Sequence, residues 1–253
     1  MICYNRLMSV LGLIIVSNLV ISLGALVGVV SLAVNKERLE KVLLFLVALS
    51  TGALMGGAFL HLLPEAVEML ESERVFLVAL LAFMGFFLVE KVLHWHHCHK
   101  RDCDDHHLGQ INLFGDSVHN FLDGLIIAAA FMAEVKLGWA TVLAVALHEI
   151  PQEIGDFGVL LHAGWEKRKA LVANFLVALM AVAGGVAGFY LSSSVEAFIG
   201  YLMAVAAGGF IYIAASDLMP ELKKETDLRK SLVSFGVFGL GVGLMWLFKV
   251  FAG

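Results

Sequence analysis

Charge is scarce in this chain: Asp, Glu, Lys and Arg make up 15% of its 253 residues, while 60% are hydrophobic. A soluble domain of that length needs more charge to cover its surface, so the composition excludes one and makes lipid the outer solvent. Cysteine is scarce too. Cys3, Cys98 and Cys103 are the only three, which rules out a disulfide framework. Proline occurs only at Pro64, Pro151 and Pro220, each beside polar residues within an apolar stretch. A net charge of -5 carries no message of a basic surface, and no nucleic-acid partner is expected.

What remains is apolar sequence punctuated by charge clusters. At about 20 apolar residues per crossing, the length predicts an all-α polytopic membrane protein with eight transmembrane helices and no separate soluble domain. The spans fall near Leu7–Val34, Val42–Leu70, Val75–Leu93, Asn112–Ala133, Gly138–Ala163, Lys169–Leu191, Val195–Pro220 and Leu232–Phe251. The first run is too long for the apolar region of a signal peptide and lacks a clear small-residue cleavage site, so it reads as a retained span. Residues 1–253 form one transmembrane domain on this reading, with a His-rich cytoplasmic loop at 94–109.

Orientation follows from Lys and Arg, because positive loops stay cytoplasmic. Thirteen of the 17 basic residues fall in alternate loops: Lys36, Arg38 and Lys41; Lys91, Lys100 and Arg101; Lys167, Arg168 and Lys169; Lys223, Lys224, Arg229 and Lys230. The opposite side has Arg6, Arg74, Lys136 and Lys249. Both termini are therefore expected outside, in the cell membrane. Cys98 and Cys103 fall on the cytoplasmic side, where thiols stay reduced.

Two of the prolines share a context. Gly57-Ala-Phe-Leu-His61-Leu-Leu-Pro64-Glu65 in span two matches Ile213-Ala-Ala-Ser-Asp217-Leu-Met-Pro220-Glu221 in span seven: a ligand-type residue, two apolar residues, then Pro-Glu. Span two runs outward and span seven inward. This is the trace of an inverted repeat, spans one to three against six to eight around central spans four and five.

Spans four and five hold the polar residues. Span four carries Asp116, His119, Asn120 and Asp123; span five carries His148, Glu149, Gln152, Glu153 and Asp156. An ionisable side chain near the bilayer centre costs at least about 2.5 kcal/mol, so these must face one another, water or a cation. No Lys or Arg in either span balances the five acids. Asp116, His119 and Asp123 follow i, i+3, i+7 on one helical face, and His148 and Gln152 are four apart. At about 1.5 Å rise per residue, antiparallel packing sets Asp123 level with His148, His119 level with Gln152, and Asp116 near Asp156. Imidazole with carboxylate and no thiolate suits zinc, iron or manganese rather than copper(I). Pro151 leaves the Leu147 carbonyl without its donor, and an unpaired carbonyl beside the cage could solvate a cation.

At these motifs, His119-Asn120-Phe121-Leu122-Asp123-Gly124 and His148-Glu149-Ile150-Pro151-Gln152-Glu153, the chain resembles the ZIP family of zinc and iron transporters. The resemblance covers the whole chain and implies eight spans, a mid-membrane metal site that is often binuclear, and zinc (or iron, manganese or cadmium) as the transported ion. It implies that His119, Asp123, His148 and Gln152 serve one metal, and Asn120, Asp123, Glu149 and Glu153 a second, with Asn174 as the candidate ligand from span six. It further implies a homodimer that moves one helix group against another. Gln152 departs from the pattern, since many relatives carry His or Glu there, both stronger ligands.

The function expected is uptake of a divalent metal into the cytoplasm, without catalysis. An intramembrane metalloprotease needs two His four apart with a Glu between; here Gln152 stands where the second His belongs. A non-transporting metal receptor is the other alternative, separable by measuring flux. The six histidines of the loop, His94, His96, His97, His99, His106 and His107, suit metal gathering or a polar tether. His61 and Glu65 suit the outer mouth or a helix contact, and His162 suits interfacial exposure.

Overall fold

Apolar sequence in lipid has few backbone solutions, because every N–H and C=O must be satisfied internally, and the helix does so within one segment. The computed structural model accordingly has no strand among the residues it describes, which are 2–28, 36–95, 105–194 and 196–252. Eight helical units follow in order. Helix α1 is Ile2–Leu23, continuing as a 3-10 turn over Gly24–Val27. Helix α2 joins Lys36–Gly56 to Leu63–Met69 through a π segment, Gly57–Leu62. Helix α3 is Ser72–Trp95, α4 Asp105–Ala133 and α5 Val135–His162. Helix α6 comprises Lys167–Ala178 and Met180–Ser194. Helix α7 joins Glu196–Ile213 to Met219–Lys223 through a π segment, Ala214–Leu218, and α8 is Leu228–Ala252.

Six units hold stretches long and apolar enough to cross a membrane: Ser9–Val27, Lys41–Met69, Ser72–Val92, Lys167–Ser192, Phe198–Lys223 and Leu228–Phe251. The other two, α4 and α5, are long enough at 29 and 28 residues, but their polar side chains lower the mean hydropathy. The sequence-derived boundaries differ most at α4, which starts at Asp105 rather than Asn112. A helix does not stop where its apolarity stops.

The prolines deform their helices in two ways. Pro64 and Pro220 lack an N–H for the carbonyls of Leu60 and Ser216, and in both places the turn before the proline widens into the π segment. Pro151 lies inside α5, which runs on as α-helix.

Glycines set how closely the helices approach. A Cβ on Gly124 would lie 1.9 Å from Ala181 O, and one on Gly184 would lie 1.9 Å from Phe121 O, so α4 and α6 meet backbone to backbone. Gly52 likewise meets Phe238 O across α2 and α8, and Gly208 meets Ala79 O across α7 and α3. Only Glu134, in extended conformation, separates α4 from α5. That one-residue turn forces the two helices antiparallel, and Gly138 makes room there for the Phe131 ring. The buried core between the helices is built from Ile14, Leu54, Leu62, Ile127, Phe131, Met203, Phe210 and Met245 with many alanines.

Candidate metal centre

The antiparallel pair α4 and α5 brings four donor residues to one point. His148 Nε2 lies 3.1 Å from Asp123 Oδ2 and 3.4 Å from Glu149 Oε1, and His119 Nε2 lies 3.4 Å from Glu149 Oε1 and 3.7 Å from Asp123 Oδ2. The two Nε2 atoms are 3.3 Å apart. One donor atom from each of the four residues falls within 4.8 Å of all the others.

These separations have a chemical meaning. Zinc takes nitrogen and carboxylate oxygen at about 2.0–2.2 Å, and the edge of a tetrahedron is about 1.6 times its centre-to-vertex distance. The edges expected are therefore roughly 3.3–3.6 Å, and the five separations above, 3.1–3.7 Å, bracket that range. The tautomer of His148 agrees. Its Nδ1 lies 3.1 Å from Ala144 O; a carbonyl only accepts, so Nδ1 carries the proton and the Nε2 lone pair faces the other donors. Two carboxylates and a lone pair turned on one another in a buried place call for a cation between them.

Around this point buried acceptors outnumber donors. Oxygens of Asp116, Asn120, Asp123, Glu149, Glu153, Asp156 and Asn174 are buried with no hydrogen-bond partner. Buried polar atoms are ordinarily paired, and a set of orphans that are all oxygen acceptors is what a cation or a proton would satisfy.

The remaining predicted ligands stand around the four. Asp123 and His148 are level with each other, as the rise per residue implies. The Gln152 amide donates to Asp116 Oδ1 at 3.3 Å, and Gln152 lines the same cavity as His119. Asn120 donates to the same oxygen at 2.8 Å. Glu153 accepts a hydrogen bond from the Asn174 amide of α6, and both are buried. Asp156 accepts from Asn112 at 2.9 Å. The Leu147 carbonyl corrects the sequence reading. It is not unpaired, because the Ser50 hydroxyl of α2 donates to it at 2.5 Å. Sequence reasoning passed over Ser50, although a proline-freed carbonyl inside lipid is itself a signal to look for a hydroxyl on a neighbouring helix.

The chain belongs to the ZIP zinc transporter family. Its family model matches residues 8–109 and 96–249, nearly the whole length. Among similar proteins, zinc transporter ZIP13 of Pongo abelii is 31% identical over 223 residues, covering 81% of this chain and 66% of that protein. Zinc transporter zipt-7.1 of Caenorhabditis briggsae is 29% identical over 273 residues, covering 80% and 70%. Zinc transporter ZIP4 of Homo sapiens is 46% identical over 119 residues, covering 47% of this chain and only 18% of its own length. This ZIP chain thus spans about two thirds of the first two relatives and under a fifth of the third.

Two cavities lie among the helices, and one of them adjoins the centre. The larger, about 670 Å³, is lined by Glu90, Asn112, Asp116, His119, Gln152, Asp156, Asp217 and Glu221 among others. The smaller, about 210 Å³, is lined by His61, Glu65, Glu68, Glu134, Lys136 and Lys249 with apolar neighbours. The larger one reaches the four donors only at His119, whose side chain is 17% exposed, against 1–3% for the other three. The Phe210 ring packs edge-on against His148, with ring centroids 6.1 Å apart. His61 bonds Met245 O at 2.9 Å in the smaller cavity, and His162 is exposed at the end of α5. Residues 96–104 of the His-rich loop, with Cys98 and Cys103, lie outside the described residues.

Proposed function

We propose that the chain carries divalent transition-metal cations, zinc foremost, across the membrane and into the cytoplasm through the centre of His119, Asp123, His148 and Glu149. One observation carries this reading: four donors from two helices stand 3.1–3.7 Å apart, close to the edge lengths of a zinc tetrahedron, with an acid-lined cavity reaching them at His119. Iron, manganese and cadmium fit the same donor types. His119 and His148 supply neutral nitrogen that fixes geometry, and Asp123 and Glu149 supply the negative charge. Asn120, Gln152, Glu153 and Asn174 form the surrounding shell, from which a second ion would draw its ligands.

The larger cavity is lined by Asn112, Val159 and Glu221, near the helix ends that carry Lys91, Lys167, Arg168, Lys223 and Lys224. By the charge rule those ends are cytoplasmic, so the arrangement is open inward and both termini lie outside. A cation leaving His119 meets Asp116, Asp156, Asp217 and Glu90, oxygen ligands that hold zinc less firmly than imidazole does. The eight helical units form a single transmembrane domain with α4 and α5 spanning among the rest.

The inverted repeat finds support in two features beyond sequence likeness. Pro64 and Pro220 each follow a π segment. Gly52 and Gly208, each twelve residues before its proline, meet the carbonyls of Phe238 in α8 and Ala79 in α3. Exchanging units one to three with six to eight maps the first contact onto the second.

Zinc uptake by vesicles reconstituted with the purified chain tests the function. Time-dependent accumulation, absent from empty vesicles and saturable in zinc, is the outcome expected. Zinc binding without accumulation would instead favour a metal receptor.

A further inference from the structure

Pro151 sits inside α5 and has no N–H to give the carbonyl four residues back. That carbonyl belongs to Leu147, the residue immediately before His148. Left unpaired in the interior it would cost about 1–3 kcal/mol, with no water in a bilayer to relieve it. The Ser50 side chain is fully buried, and its hydroxyl lies 2.5 Å from Leu147 O and 2.7 Å from Leu46 O, one turn back on its own helix. A hydroxyl has one proton to donate. Leu46 O already receives a backbone N–H within α2; Leu147 O has no such donor. The proton is therefore needed at Leu147.

We infer that Ser50 is a positioning residue for the metal centre: by holding Leu147 O it fixes the backbone that carries His148 and Glu149. This rests on the reading of those residues as metal ligands. Ser50 touches no donor atom itself. It acts on the peptide unit from which two adjacent ligands project, and it comes from α2, outside the α4–α5 pair. The chain solves a second helix defect in the same way. Where α6 breaks, Val182 N bonds Leu179 O at 3.0 Å, and the Ala178 carbonyl that loses its donor receives the Ser22 hydroxyl of α1 at 2.7 Å. Of the two, only the Ser50 contact adjoins the donor cluster.

The test uses the purified full chain titrated with zinc alone and compares S50A, S50T, S50V, P151A, S50A/P151A and H148A. S50A and S50V should bind zinc roughly tenfold more weakly, at the low end of what loss of a ligand-orienting partner costs. S50T, with the hydroxyl restored at the volume of Val, should bind like the parent. P151A returns an N–H to Leu147 O, so adding S50A to it should change affinity little. Equal affinities for S50T and S50V would overturn the assignment, as would an S50A effect as large in the P151A background as in the parent. If P151A binds no zinc, the Thr–Val comparison decides alone. H148A separates the two readings: unchanged zinc binding there would strike at the metal centre and not at Ser50.

Discussion

His148 and Asp123, 29 and 4 residues from His119 along the chain, present Nε2 and Oδ2 to each other at 3.1 Å from opposite helices. With Nδ1 of His148 donating to Ala144 O, the neutral ring turns an Nε2 lone pair toward Asp123. In that form the pair is a contact between two acceptors, which a metal ion, or a proton on Nε2, resolves.

Removing either member should remove function without removing the fold. Asp123→Ala and His148→Ala are each expected to abolish most zinc uptake at unchanged membrane abundance. Asp123 should matter more, since it supplies charge as well as geometry. Radioactive zinc uptake in cells, normalised to surface protein, measures this; normal uptake by either variant would discard the centre.

Gln152 offers a gain rather than a loss. Its amide donates to Asp116 at 3.3 Å, a long contact from a neutral group, and it stands one turn beyond His148. Gln152→His should insert normally and bind zinc more tightly, because imidazole is the better ligand. Tighter binding slows release, so maximal uptake should fall as affinity rises. An affinity equal to the parent's would show that position 152 lies out of reach of the ion.

The glycines make a paired prediction. A Cβ at Gly52 would lie 2.0 Å from Phe238 O, and one at Gly208 would lie 2.2 Å from Ala79 O. Gly52→Val and Gly208→Val should each destabilise by about 1–3 kcal/mol, as overpacking does. Thermal unfolding in detergent should show similar drops for both, whereas Gly239→Val, with open space around it, should be neutral. A silent Gly208 variant beside a damaged Gly52 variant would count against the repeat.

Orientation is testable with single cysteines. In a cysteine-free background, probes at Ser194 and Glu225 should label from opposite faces of intact cells, Ser194 from outside. Labelling of both from one face would end the eight-span topology.

How much of this was legible beforehand depended on the kind of force involved. Periodicity put Asp116, His119 and Asp123 on one face, and rise per residue matched Asp123 to His148, because both quantities belong to a straight helix. The spacing could not say which way Gln152 turns. That choice is made by Asp116, which already holds the Asn120 amide and accepts a second donor. Nor could it show Ser50 at Leu147, a contact between residues 97 apart that depends on how α2 crosses α5. The π segments were foreshadowed by Pro64 and Pro220, yet Pro151 produced none, since a hydroxyl from outside took up the carbonyl.

The two cavities share no lining residue, and Leu54, Ala58, Ala144 and Phe210 fill the interior between helices there. A layer of that kind is an insulator. If ions cross here as proposed, they cannot stream past such a layer down a gradient, so each crossing requires the packing itself to rearrange, and the ceiling on flux belongs to the protein rather than to diffusion. On the proposed function such a molecule meters its cargo: its throughput levels off however much metal is offered.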